Sequence, residues 1–165
     1  MGPIQLVVFD LAGTTIDDDG GVVLNCLVET VRIHDLPGTP DELNALMGMN
    51  KLEVFRMLAA RRNPSGLAND ELAQEALATF VARMSAAYER HLAPMPGAEE
   101  VFAFLRARGI KIAIDTGFDA AVGGLIMQRL AWPERLIDLA VFSSDVLRGR
   151  PAPYMIFRAM ELLDV

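Results

Sequence analysis

Three apolar runs end in groups that could act together on a phosphoryl centre. "VVFD" ends in the carboxylate of Asp10, "IAIDT" in the hydroxyl of Thr116 directly after Asp115, and "VFSSD" in Ser143, Ser144 and Asp145, with Arg150 following shortly in "RGRPAP". An ionised carboxylate can attack phosphorus, a hydroxyl can hydrogen-bond a phosphoryl oxygen, and a guanidinium can balance the charge. Each residue type is also ordinary turn chemistry at the end of a strand. The chemistry therefore depends on whether the fold brings these groups to one point.

The elements that must do so are legible as apolar runs. "IQLVVF" (4 to 9) is short and rich in branched residues and reads as a strand buried on both faces. "IKIAID" (110 to 115) follows a helical pattern closed by Gly109, and "LIDLAVF" (136 to 142) runs into the serines. Strands alternating with helices predict an α/β fold, a Rossmann-like parallel sheet whose ligands sit beyond the carboxyl ends of the strands. Arg150 precedes a proline expected to open the next helix.

The span from about 18 to 95 has helical periodicity and no good strand. It predicts an all-helical cap over 18 to 95 inserted into a core made of 1 to 17 and 96 to 165. Thr39-Pro40-Asp41-Glu42 carries the capping threonine, first-turn proline and following glutamate of a helix start, and Asn69 begins another helix. Ala73, Leu77, Phe80, Met84, Ala87 and His91 recur at helical spacing and are expected to pack as one stripe. His34 and Cys26 are expected to be structural, not ligands. Asp17 to Gly21 and Pro94 to Gly97 read as the two linkers, with Asp17, Asp18 and Asp19 as solvated charges.

Composition narrows the partners. The chain of 165 residues is 52% hydrophobic and carries a net charge of -7 without a basic block, which argues against nucleic acid. A single cysteine cannot form an intrachain disulfide, the start lacks a signal-peptide pattern, and no apolar run nears the roughly 20 residues that span a bilayer. A cytoplasmic protein with no membrane partner is expected.

Taken in order, "FDLAGTTID", "IAIDTG" and "GRPAP" resemble the motifs of the haloacid dehalogenase-like hydrolases over residue 4 to the end. That family's first motif is a strand followed by Asp-x-Asp-Gly-Thr, and its second and third are a strand-end Thr or Ser and a basic residue before a helix. The Asp-x-Ala-Gly-Thr-Thr form with Gly-Arg-Pro-x-Pro is similar to the phosphonatase branch, the phosphonoacetaldehyde hydrolases and their relatives. The resemblance implies a nucleophile at Asp10, Mg2+ held by the Asp10 carboxylate and the Ala12 backbone carbonyl, and substrate contacts at Gly13, Thr14, Gly117 and Met47. It also implies catalytic roles for Thr116 and Arg150.

Ala12 stands where most relatives have an aspartate that protonates a leaving alkoxide. A carbon leaving group needs something else: an aldehyde condensed with a lysine, so that electrons flow into an iminium. The branch places that lysine in a Met-Gly-x-x-Lys segment, and "MGMNK" runs from Met47 to Lys51. Only two lysines stand against thirteen arginines, and arginine cannot form an imine. Two features depart from the branch. Val54 stands where it has a histidine, and Gly20 and Gly21 stand in the region where it has a cysteine.

The family's fourth motif, an acidic pair on a later strand, completes its Mg2+ site. Here the sequence ends in "MELLDV", and Asp164 is too close to Arg150 to lie on a following strand. The expectation is a truncated form whose outer strand edge is exposed or paired with another chain, so a homodimer is one expected assembly. The expected substrate is a small phosphonate or phosphorylated metabolite. A phosphomonoester phosphatase and a non-catalytic fragment lacking the metal site are the alternatives.

Overall fold

A computed structural model describes residues 2–18, 20–66 and 68–165, with every side chain among them except that of Glu134. Three strands, β1 (Leu6–Asp10), β2 (Lys111–Thr116) and β3 (Leu139–Phe142), form a parallel sheet in the order β1-β2-β3. Four helices follow β1: α1 (Val22–Ile33), α2 (Pro40–Ala45), α3 (Lys51–Arg62) and α4 (Asn69–Arg90). Then come α5 (Ala98–Arg106) before β2, α6 (Ala120–Leu130) and the short α7 (Trp132–Arg135) before β3, and α8 (Tyr154–Leu163) after it.

Side-chain alternation along β2 explains the layers. Ile112 and Ile114 point into a core with Phe102, Ile126 and Trp132, whereas Ala113 joins Val141 against Met155 and Ala159 of α8. The sheet thus lies between α8 on one face and α5, α6 and α7 on the other. Edge-on aromatic contacts from Phe9 to Phe102 and from Phe102 to Trp132 lock the second face.

Several expectations need correction. β1 is half-buried along its whole length, because among the described residues it lies at the edge of the sheet and β2 is the central strand. β3 begins only at Leu139; just before it Asp138 N donates to Ile112 O and the Asp138 carboxylate accepts from Ile112 N, both at 2.8 Å. Pro151 does not open α8. It lies in a turn, and the helix starts at Tyr154 behind Pro153.

In the helical segment the Thr39–Glu42 capping box forms as expected. α4 packs between α1 and α3 and also reaches α6. Its buried face consists of Ala73, Ala76, Phe80, Met84 and Tyr88, with Leu77 and Ala87 half-buried. His91 is exposed, because the helix ends at Arg90 and the backbone there turns extended. Cys26 is buried in α1, and His34 Nε2 lies 2.8 Å from Thr79 Oγ1.

The two linkers run side by side. Asp17 N donates to Ala93 O at 2.9 Å and Met95 N to Thr15 O at 2.8 Å, so the chain leaves β1 and returns to α5 as a paired ribbon. Asp18 is more than a solvated charge, since its carboxylate accepts from Val23 N at 3.1 Å in the first turn of α1. Asp19 lies outside the described residues.

Candidate active site

The β1–β2 register sets Asp10 beside Asp115 at the carboxyl ends of both strands. By parity these two carboxylates share the sheet face that carries Val8 and Ala113, the face covered by α8. Arg150 comes from the loop before α8, so it arrives on that same side. Its Nη1 lies 2.7 Å from Asp10 Oδ1, and its Nη2 pairs with the Asp115 carboxylate and donates to Asp115 O at 3.0 Å. Burial alone would lower the Arg150 pKa, but the two carboxylates outweigh it and hold the guanidinium charged more firmly than usual.

Thr116 is buried at the end of β2, and its Oγ1 accepts from Phe118 N at 3.2 Å. That bond leaves the hydroxyl hydrogen free to donate to a ligand oxygen. On the other side, Thr15 Oγ1 donates to Asp10 O at 2.9 Å and Leu11 O at 3.2 Å, tying down the turn that leaves β1.

Lys51 is the first residue of α3 and is only 4% exposed. Its Nζ donates to Met49 O at 3.0 Å. Burial, with the nearby Arg150 charge adding to it, pushes the amine down to about 8. The Met47–Asn50 segment that precedes it is pressed onto the strand ends. A Cβ at Gly117 would fall 2.5 Å from Gly48 O, and one at Gly149 would fall 3.3 Å from Asn50 Cβ.

These groups meet in one cavity of about 280 Å³, lined by Asp10, Ala12, Met47, Lys51, Thr116 and Arg150 together with Val23, Gly48, Gly117 and Phe118. Among the described residues Asp10 is its only carboxylate. The structure therefore brings together Asp10, Ala12, Met47, Lys51, Thr116, Gly117 and Arg150. Gly13 and Thr14 are exposed in the turn after β1, and Thr14 lines a separate cleft with Met95 and Pro96.

Asp115, Gly48, Val23 and Phe118 were not singled out in the sequence. An acid directly before Thr116 was the one visible signal among them. Val54, at the departure from the branch pattern, is wholly buried and does not line this cavity.

Magnesium wants near-octahedral oxygen ligation, usually with more than one carboxylate. The cavity offers the Asp10 carboxylate and the region of the Ala12 carbonyl, while Asp115 is committed to Arg150 and Asp145 accepts from Phe142 N. Among the described residues no group of three or more His, Cys, Asp or Glu is placed to hold a metal. These residues alone do not fit a tightly held Mg2+.

A parallel sheet with a carboxylate, hydroxyl and guanidinium at its strand ends defines a hydrolase core, and the sequence matches the haloacid dehalogenase-like hydrolase family over residues 4–165. The chain belongs to that family. It is 31% identical to a phosphonoacetaldehyde hydrolase of Bacillus cereus, over 96% of this chain and 64% of that protein. It is also 28% identical to a bifunctional phosphonoacetaldehyde hydrolase/aminoethylphosphonate transaminase of Clostridioides difficile, over 98% of this chain and 27% of that one. The chain thus spans under two thirds of the length of these relatives.

Among solved structures, a phosphonoacetaldehyde hydrolase-like protein from Oleispira antarctica superposes with a TM-score of 0.79 at 26% identity, covering 99% of this chain and 62% of that one. A hydrolase from Pseudomonas syringae, at 18% identity, shares the fold with a TM-score of 0.75, over 99% and 72% of the two chains. No helix among the described residues is long and apolar enough to cross a membrane.

Proposed function

We propose that the protein is a phosphonatase-like hydrolase acting on a small phosphonate, with carbon–phosphorus cleavage through an imine on Lys51. The observation that carries this reading is the placement of Lys51. A buried amine with its pKa lowered to about 8 lines the same cavity as Asp10, Thr116 and Arg150. Near neutral pH an appreciable fraction of such an amine is neutral and nucleophilic, which an exposed lysine is not.

The steps follow from the residues. The Lys51 amine adds to the substrate's carbonyl carbon and water leaves, forming an iminium. An Asp10 oxygen attacks phosphorus while the carbon–phosphorus bond breaks, and the electron pair moves into the iminium to give an enamine. Thr116 and Arg150 stabilise the phosphoryl oxygens. Water then cleaves the aspartyl phosphate, and protonation and hydrolysis of the enamine free Lys51. An acid at position 12 has no task in this sequence of steps, which is consistent with the Ala12 methyl.

On this reading residues 18 to 95 form a cap over the site, the setting is cytoplasmic, and Asp10 and Ala12 are the donors this chain would contribute to a Mg2+ site that needs further ligands. Gly13 and Thr14 would then shape the turn beneath the phosphoryl site, not touch the substrate from the cavity wall. A phosphate ester is the second reading, favoured only by the same lysine, whose ammonium with a pKa of about 8 could protonate an alkoxide.

Borohydride trapping with phosphonoacetaldehyde tests the first reading. A reduced two-carbon adduct on Lys51, absent in Lys51→Arg, is expected. Hydrolysis of small phosphate esters with no adduct at Lys51 would replace the imine with the ester reading.

A further inference from the structure

A second chamber of about 350 Å³ adjoins the Asp10 cavity, and the two share Lys51, Gly117 and Phe118. It lies between the helical segment and the core. Leu77, Phe80 and Val81 of α4 form one wall, Val122 of α6 another, and Val146 and Leu147 the mouth. Its volume is within the range of organic-ligand sites. None of the proposed steps uses it.

Several of the polar residues on its walls have partners within the protein, and Glu53, which also lines it, is exposed to solvent. Asn50 Oδ1 accepts from Glu53 N at 3.2 Å, Asp119 Oδ1 from Val122 N at 3.1 Å, and Ser144 Oγ from Ala120 N at 3.1 Å. Arg56, at the rim, is paired with Asp70 at 2.6 Å. What these groups leave for a ligand is mainly hydrocarbon surface, which favours an apolar occupant over a charged one.

Lys51 stands at the boundary between the two spaces. A substrate with its phosphorus at Asp10 and its carbonyl carbon at Lys51 would send whatever the carbonyl carries on its far side into the chamber. For an aldehyde that is a hydrogen. We infer that the chamber is the subsite for an apolar ketone substituent, and that the substrate class is β-ketophosphonates bearing an alkyl or aryl group. The inference rests on the proposed reading of the Asp10 cavity. The bonds balance as before: iminium formation expels water, the carbon–phosphorus pair enters the enamine, and hydrolysis releases phosphate and a methyl ketone.

Calorimetric binding of phosphonoacetaldehyde, acetonylphosphonate and phenacylphosphonate to this chain, each in competition with inorganic phosphate, tests the inference. Phenacylphosphonate is expected to bind about tenfold more tightly than phosphonoacetaldehyde. That ratio should fall to about one in Leu77→Trp, which fills the chamber. It should fall also in Leu147→Glu, which charges the mouth at a side chain that is 91% exposed and cannot unfold the core.

No gain with the larger ketone, while phosphonoacetaldehyde and phosphate still compete, overturns the chamber and leaves the proposed function standing. A gain that survives both variants places the substituent elsewhere and overturns it too, as does a dimer by light scattering whose chamber excludes the ketone. If neither phosphate nor phosphonoacetaldehyde binds, or binding is indifferent to Asp10→Asn, both readings fall.

Discussion

The Arg150 guanidinium lies 2.7 Å from the Asp10 carboxylate and with its other nitrogen holds Asp115, so one side chain closes the ends of two neighbouring strands. Asp115 is 6% exposed, and removal of its partner would strand a buried charge. Arg150→Ala should therefore lose about 2–3 kcal/mol in urea denaturation, below the full cost of a wholly buried pair because Asp10 is partly solvated. Arg150→Lys should recover only part of this, since a single ammonium cannot reach both acids in the same geometry. Equal stability of Arg150→Ala and the parent would show that the bridge is energetically idle.

Gly117 is constrained by a close approach, not by its dihedral angles. A methyl group there would meet Gly48 O at 2.5 Å and Met49 O at 3.1 Å, so the Met47–Asn50 segment would have to lift. Gly117→Ala is expected to cost about 1–3 kcal/mol and to uncover Lys51. Faster acylation of the Lys51 amine at matched pH, read by peptide mass mapping, is the specific signature. An unchanged rate would mean that the segment does not depend on this contact.

Burial of Lys51 has a pH signature with a definite sign. Its folded pKa of about 8 lies below the unfolded value near 10.4, so between these values the unfolded chain binds more protons and stability rises with pH. The penalty is present in full below the folded pKa and is relieved as pH rises toward the unfolded one. Lys51→Met should therefore be more stable than the parent at pH 7, by up to about 3 kcal/mol, with the difference shrinking by pH 10. Denaturation curves at the two pH values check this, and a difference that grows with pH would contradict it.

The far edge of β1 has no strand beside it among the described residues, and all five of its residues are half-buried. Amides of β2 should exchange slowly with solvent, while those of β1 that do not face β2 exchange faster. Protection of β1 that increases with protein concentration would indicate pairing between copies. Full protection of both strands at every concentration would count against an open edge.

Much of the fold was legible because it is local. The apolar runs of β2 and β3, the Thr39–Glu42 capping box and the α4 stripe each depend on residues a few positions apart. The misreadings were of the same kind. β1 was read as doubly buried because an apolar run does not say whether a strand is central or at an edge. His91 was read as core because periodicity does not mark the turn at which a helix stops.

By itself, the sequence determined which groups were available: a carboxylate, a hydroxyl and a guanidinium in family order, an alanine where an acid is usual, and one of only two lysines in a chain with thirteen arginines. Only the tertiary structure decided what those groups do to one another. Parallel register put Asp10 beside Asp115 across 105 positions of chain, and strand parity chose the face on which Arg150 could reach both. Gly48 packs on Gly117 beside the Lys51 site, and burial of Lys51 makes its amine easier to deprotonate. These effects depend on distance and on exclusion of water. Neither is a property of any short stretch of residues, because both arise only when distant segments close on one another.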